Sequence, residues 1–115
     1  MTRIAALLAL AALFCAADVQ AQHGSWVDDS DPRWDDYLVL RPHMLVVARI
    51  DRRGECLAVP MPARVDGDTL RRRKGADWAL QVSGDSLTVH LPDRTRGFRR
   101  TDTRVLARCL ADQSI

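Results

Sequence analysis

Apolar and polar residues alternate most strictly along the stretch from Trp78 to Pro92. Trp78, Leu80 and Val82 lie two apart, with Ala79, Gln81 and Ser83 between them; Leu87, Val89 and Leu91 alternate in the same way with Thr88, His90 and Pro92. A period of two sends one set of side chains to one face of a strand. The pattern therefore predicts a hairpin with six apolar side chains on one side and Gln81, Thr88 and His90 on the other. Its turn is Ser83-Gly84-Asp85-Ser86. The same phrase occurs 17 residues earlier, where Val65-Asp66-Gly67-Asp68-Thr69-Leu70 matches Val82-Ser83-Gly84-Asp85-Ser86-Leu87. Gly followed by Asp suits a tight hairpin turn, because such turns need positive φ and Gly reaches it without a Cβ penalty. Two such bends in succession predict a β-meander. A lone hairpin is marginal in water, so further strands must complete the sheet.

Those strands are legible on both sides of the repeat. Residues 37–40 read as a strand broken at Arg41-Pro42-His43. Residues 44–50 read as a longer strand that is apolar on both faces and therefore central. Asp51-Arg52-Arg53-Gly54 has the form of a type I turn followed by a Gly bulge. Residues 55–59 return along the sheet, and Pro60-Met61-Pro62 is expected to stop the pairing. Leu70-Arg71-Arg72-Arg73-Lys74 predicts a charged edge strand, followed by a turn at Lys74-Gly75-Ala76-Asp77. After a second turn signal from Pro92 to Gly97, Phe98 opens the last strand. Thr101-Asp102-Thr103 offers a helix cap, and Val105, Leu106, Cys109 and Leu110 recur at helical spacing. These predict one short helix over 103–111. The fold class is mainly β: an antiparallel meander of six to seven strands, as a half-open barrel or small sandwich, with one short C-terminal helix.

The start of the chain adds a compartment. Met1-Thr2-Arg3 is positively charged, residues 4–17 are an unbroken apolar run, and Val19-Gln20-Ala21 places small or aliphatic residues before a cut. This is the grammar of a secretory signal peptide. A run of 14 residues falls short of the roughly 20 that span a bilayer. Cys15 follows Phe14, whereas a lipidated cysteine normally follows a very small residue. A cut after Ala21 leaves 94 of the 115 residues, in the periplasm or outside the cell. Within them, residues 22–36 read as an acidic arm and 37–115 as one β-rich domain. Trp26 and Trp34, isolated in that arm, are expected to plug the open end of a small sheet. Two cysteines remain, Cys56 and Cys109, and in an exported chain they predict one disulfide.

Charge divides the chain. Residues 22–48 carry five Asp against two Arg, and residues 49–115 carry 14 Lys/Arg against nine Asp/Glu. One expectation is that the acidic arm lies against basic strands of its own chain. The sharper one is a basic face, built from Arg71, Arg72, Arg73, Lys74, Arg99 and Arg100, for an anionic envelope component or another exported protein. Export and the absence of interleaved aromatic residues argue against nucleic acid. A monomer is expected.

The run from Asp77 to Val89, with Trp78 and Gly84-Asp85-Ser86-Leu87, and the later Phe98-Arg99-Arg100 resemble the last strands of small secreted lipocalin-like β-barrel domains. The likeness covers about a quarter of the chain. It implies a small-ligand carrier, with Trp78, Leu80, Val89 and Phe98 lining a cavity. At this length the barrel is expected to be filled by its own side chains.

Catalytic signatures are sparse. His23, His43 and His90 have no His or Cys at a metal-ligand spacing, although His23, second in the mature chain, could hold copper weakly with the amino terminus. No Cys-x-x-Cys, His-Glu-x-x-His, Gly-x-Ser-x-Gly or phosphate-binding glycine loop occurs. Asp66, Asp68 and Asp85 are explained by turn chemistry. No metal or cofactor is therefore expected. The first hypothesis is a non-enzymatic binding module, the second the ligand carrier. An enzyme built on His43 or His90 with a neighbouring Asp is the third.

Overall fold

The computed structural model describes residues 22–102 and 104–112. The expected signal peptide, Cys15, Thr103 and the last three residues lie outside that set. Eight antiparallel strands follow one another around a closed barrel: β1 (Gly24–Asp28), β2 (Trp34–Arg41), β3 (Met44–Asp51), β4 (Cys56–Asp66), β5 (Thr69–Arg72), β6 (Trp78–Ser83), β7 (Ser86–His90) and β8 (Thr95–Thr101). A single helix, α1 (Arg104–Asp112), ends the described chain. The mainly β class, the meander and the C-terminal helix are as the pattern predicts. The count is eight rather than six to seven, and the sheet is a closed barrel rather than a half-open one or a sandwich.

Closure comes from the stretch expected to be an arm. Ser25, Trp26 and Val27 pair with Thr101, Arg100 and Arg99 of β8, and all of β1 pairs with β2. No period marks β1 because both its faces are buried. Trp26 points into the barrel and Val27 outward beneath the helix. The same double burial explains the continuous apolar runs of β2 and β3. Leu38, Leu40 and Leu45 pack inside, while Val39, Val46 and Ala48 pack outside against Leu106, Cys109 and Leu110 of α1. A disulfide between Cys56 and Cys109, with Cα atoms 5.8 Å apart, fastens the helix to β4; that spacing is ordinary for the bond.

The repeated phrase produces repeated geometry. Gly67 and Gly84 have φ of 64° and 59°, and each Gly-Asp pair forms a two-residue turn, between Asp66 and Thr69 and between Ser83 and Ser86. The Asp carbonyl of each turn then accepts a backbone hydrogen bond from the strand after next: Asp68 from Leu80 N–H and Asp85 from Arg100 N–H, both at 2.7 Å. Trp78, Leu80, Val82, Leu87, Val89 and Leu91 all face the interior cluster, as their alternation requires. At the β3–β4 bend, Gly54 N–H donates to the Asp51 carbonyl at 3.0 Å and Gly54 has φ 85°, the Gly-bulge turn anticipated there.

Two expectations fail locally. Pro60-Met61-Pro62 does not stop pairing, since Pro60, Met61 and Pro62 pair with Val46, Leu45 and Met44. The Pro62 carbonyl accepts from Arg73 N–H at 3.2 Å, so that residue's polar groups point away from β3. Pro60 has the same orientation, two residues earlier. Neither missing N–H is needed by the β3 ladder. Likewise β5 is no edge strand, because it pairs with β4 on one side and β6 on the other. The second seam is short, with only Thr69 opposite Ala79 and Leu70 opposite Trp78.

Candidate functional site

The acidic arm meets its own chain's arginines. Asp28 and Asp36, both on the inward face at one rim of the barrel, hold Arg96 of β8 between them at 2.6 and 2.9 Å. Asp36 also binds Arg49 at 2.7 Å, Asp35 binds Arg52 at 3.5 Å, and Asp29 binds Arg99 at 2.7 Å. Trp34 lies at this rim between the guanidinium groups of Arg33 and Arg49, at 4.0 and 3.9 Å. Trp26, by contrast, is wholly inside.

Burial alone would raise the Asp28 carboxyl, but hydrogen bonds from Ser30 and Arg96 outweigh it and hold the group below its ordinary value. A folded-state value below the unfolded one means that the contribution is complete above about pH 4 and is lost as pH falls through the lower folded value. Asp28→Asn is accordingly expected to cost about 1 kcal/mol at pH 7. Urea unfolding from pH 7 to pH 2 should show the gap between variant and wild type closing below pH 4. A gap that stays constant with pH would rule out the charge of Asp28 as its source.

Every Asp of the arm is engaged by arginines other than those at 71–73. The basic run at 71–74 stands apart. Here β4 outlasts its neighbour: β5 pairs only with residues 63–66, and the chain turns away at Arg73. A cleft of about 500 Å3 opens between the two strands, with Pro60, Met61 and Pro62 as floor and Arg72, Arg73 and Lys74 as wall. It continues into a second hollow of about 330 Å3 lined by His43, Arg64 and Arg71. Arg71 pairs with Asp66 at 3.0 Å, with both side chains more than half exposed. Arg72 donates to the Ala76 carbonyl at 2.9 Å and lies 4.6 Å over the Trp78 ring. The loop folds over that guanidinium because residue 75 is Gly, with φ 97°; a Cβ there would collide with Arg72.

Arg99 and Arg100 do not join this cluster. They lie on β8, with β6 and β7 between them and β5. Arg99 faces outward to Asp29. Arg100 lies 4.2 Å over the Trp26 ring and donates to the His23 carbonyl. The four residues Arg71 to Lys74 therefore share one cleft, and the remaining two belong to the seam that closes the barrel. The cleft also contains residues that the sequence pattern does not group with this run: His43, Pro60, Met61, Pro62 and Arg64.

Trp78, Leu80, Val89 and Phe98, proposed as ligand-lining, pack against one another's neighbours in the interior cluster. A cavity of about 230 Å3 reaches the interior at the Asp36–Arg96 rim. Phe98 lines it with Leu38, Val47, Leu57 and Val59. His43 sits on the β2–β3 turn and His90 on the outer face of β7, where its Nδ1 lies 3.2 Å from Thr95 Oγ1. No cluster of three metal-ligating side chains occurs among the described residues. No family model, curated protein or solved structure matches this chain.

Proposed function

We propose that this is an exported, non-enzymatic binding module that takes an anionic ligand in the cleft between β4 and β5. One observation carries the reading. Arg64, Arg73 and Lys74 border an open cleft with no carboxylate paired to them among the described residues, while the acidic arm is spent on other arginines. A rigid barrel supplies the floor, so the cations are held on one side of a preformed groove. Guanidinium forks match planar carboxylate and phosphate groups, and grouped cations raise the local concentration of anions.

The double variant Arg73→Gln/Lys74→Gln tests this. Both side chains are exposed, so the melting temperature should stay within about 3 °C. Retention on immobilised heparin, used as a generic polyanion, should fall to a much lower eluting salt concentration. Unchanged retention would remove the cleft from consideration. Arg72 is left alone because its guanidinium also covers Trp78.

A second reading, the carrier of a small apolar ligand, rests on the two exposed aliphatic residues of β4, Leu57 and Val59; the rim cavity that they wall, at about 230 Å3, is smaller than the roughly 300 Å3 of a drug-sized ligand site.

A further inference from the structure

Leu57 and Val59 are the exposed large hydrophobic side chains of the described chain, at 65% and 45%. They lie two apart on β4, and Met61 follows at the same spacing, so all three share the strand's inward face. Leu57 and Val59 wall the rim cavity. Met61 floors the basic cleft. The two hollows are thus neighbours along one strand, joined by a continuous apolar strip. It is open because β5 pairs with residues 63–66 and Arg73 N–H reaches only the Pro62 carbonyl, which leaves residues 56–61 without a partner strand on that side. The four residue steps from Leu57 to Met61 give the strip a length of about 13 Å.

Its ends differ in charge. At the Leu57 end, Asp28, Asp36, Arg49 and Arg96 neutralise one another. At the Met61 end, Arg73 and Lys74 face the cleft without acidic partners among the described residues. We infer that strip and cleft form one site for a free single-chain anionic amphiphile, of the fatty-acid class. The headgroup carboxylate binds Arg73 and Lys74, and the acyl chain lies along Met61, Val59 and Leu57 with its end in the rim cavity. A neutral head would leave the cations unmatched, and a short anion would leave the strip in water. The cleft, at about 500 Å3, is of the size that small ligands occupy; the rim cavity, at about 230 Å3, is smaller and takes only the end of the chain. This inference rests on the proposed reading of the cleft as an anion site.

The test is calorimetric titration of the full chain with acetate, octanoate, decanoate, dodecanoate and dodecanol at monomeric concentrations. Affinity should rise about fourfold per added methylene, the ratio that corresponds to about 0.8 kcal/mol per buried CH2. Dodecanol and acetate should each bind at least tenfold more weakly than dodecanoate. Val59→Asp should flatten the chain-length dependence while leaving heparin retention intact; Leu57→Ser, at a still more exposed position, is the second variant should the first fail to fold. Arg73→Gln/Lys74→Gln should weaken both dodecanoate and heparin. Affinity independent of chain length, or dodecanoate binding untouched by both β4 variants, overturns the inference and leaves the cleft standing. So does binding to phosphatidylglycerol vesicles without binding to free dodecanoate. Heparin retention unaffected by the double variant overturns the cleft itself.

Discussion

Reducing the Cys56–Cys109 bond, or replacing both cysteines by Ala, destabilises the protein by about 4 kcal/mol, the chain-entropy value for so long a loop. The two residues are 53 apart in sequence. A domain of this size has only about 5–15 kcal/mol in total, so the loss is a large fraction. The consequence is also local. A nine-residue helix is marginal alone in water, and α1 is held by Leu106, Cys109 and Leu110 against the outer faces of β1 to β4. Once released, it uncovers Val27, Tyr37, Val39, Val46 and Ala48, an apolar patch of the kind that recruits other surfaces. Denaturant midpoints with and without reductant measure the first effect, and binding of a hydrophobic dye at low denaturant the second. Identical midpoints would mean that the bond contributes nothing to stability.

Trp26→Ala is the second large effect, at about 3–5 kcal/mol. Trp26 is wholly inaccessible. It packs inside with Leu38, Leu40, Phe98 and their neighbours, its indole N–H donates to the Gln22 carbonyl at 3.0 Å, and Arg100 covers its ring. Substitution removes the largest interior side chain at the seam where β1 meets β8. Thermal or urea unfolding should show the full loss, with a cavity too well walled to collapse. A cost below 1 kcal/mol would show that the seam closes without this ring. Trp34→Ala is the natural contrast, because Trp34 sits at the rim between two arginines.

The contrast between these two tryptophans shows what sequence patterns can carry. The 78–91 hairpin is readable because one face is buried and one is wet, which writes a period of two into the chain. The Gly-Asp turns are readable because positive φ selects the residues. β1 is invisible because burial on both faces erases the period. The same erasure in β3 is recoverable only because its apolar run is long. Pro60 and Pro62 misled because proline is judged by its missing N–H, and only the pairing pattern shows which way that absence points. The four clustered cations were found as a run of like charge. Their cleft was not, since it depends on how far β4 extends past β5. That register was nonetheless countable: a two-residue turn at Gly67-Asp68 places Ala63 opposite Arg72. The separation of Arg99 and Arg100 from the run follows from the number of intervening strands, which nearness in sequence does not reveal.

Closure of the barrel by its first and last strands sets the order of assembly. Ser25 must find Thr101, so the final contact waits until nearly the whole domain has left the ribosome. Contacts of such long range slow folding far more than they weaken the product. Until that moment β1 and β8 both present unpaired backbone, the form most prone to join a second chain. Truncation before β8 should therefore yield aggregates rather than a smaller soluble barrel.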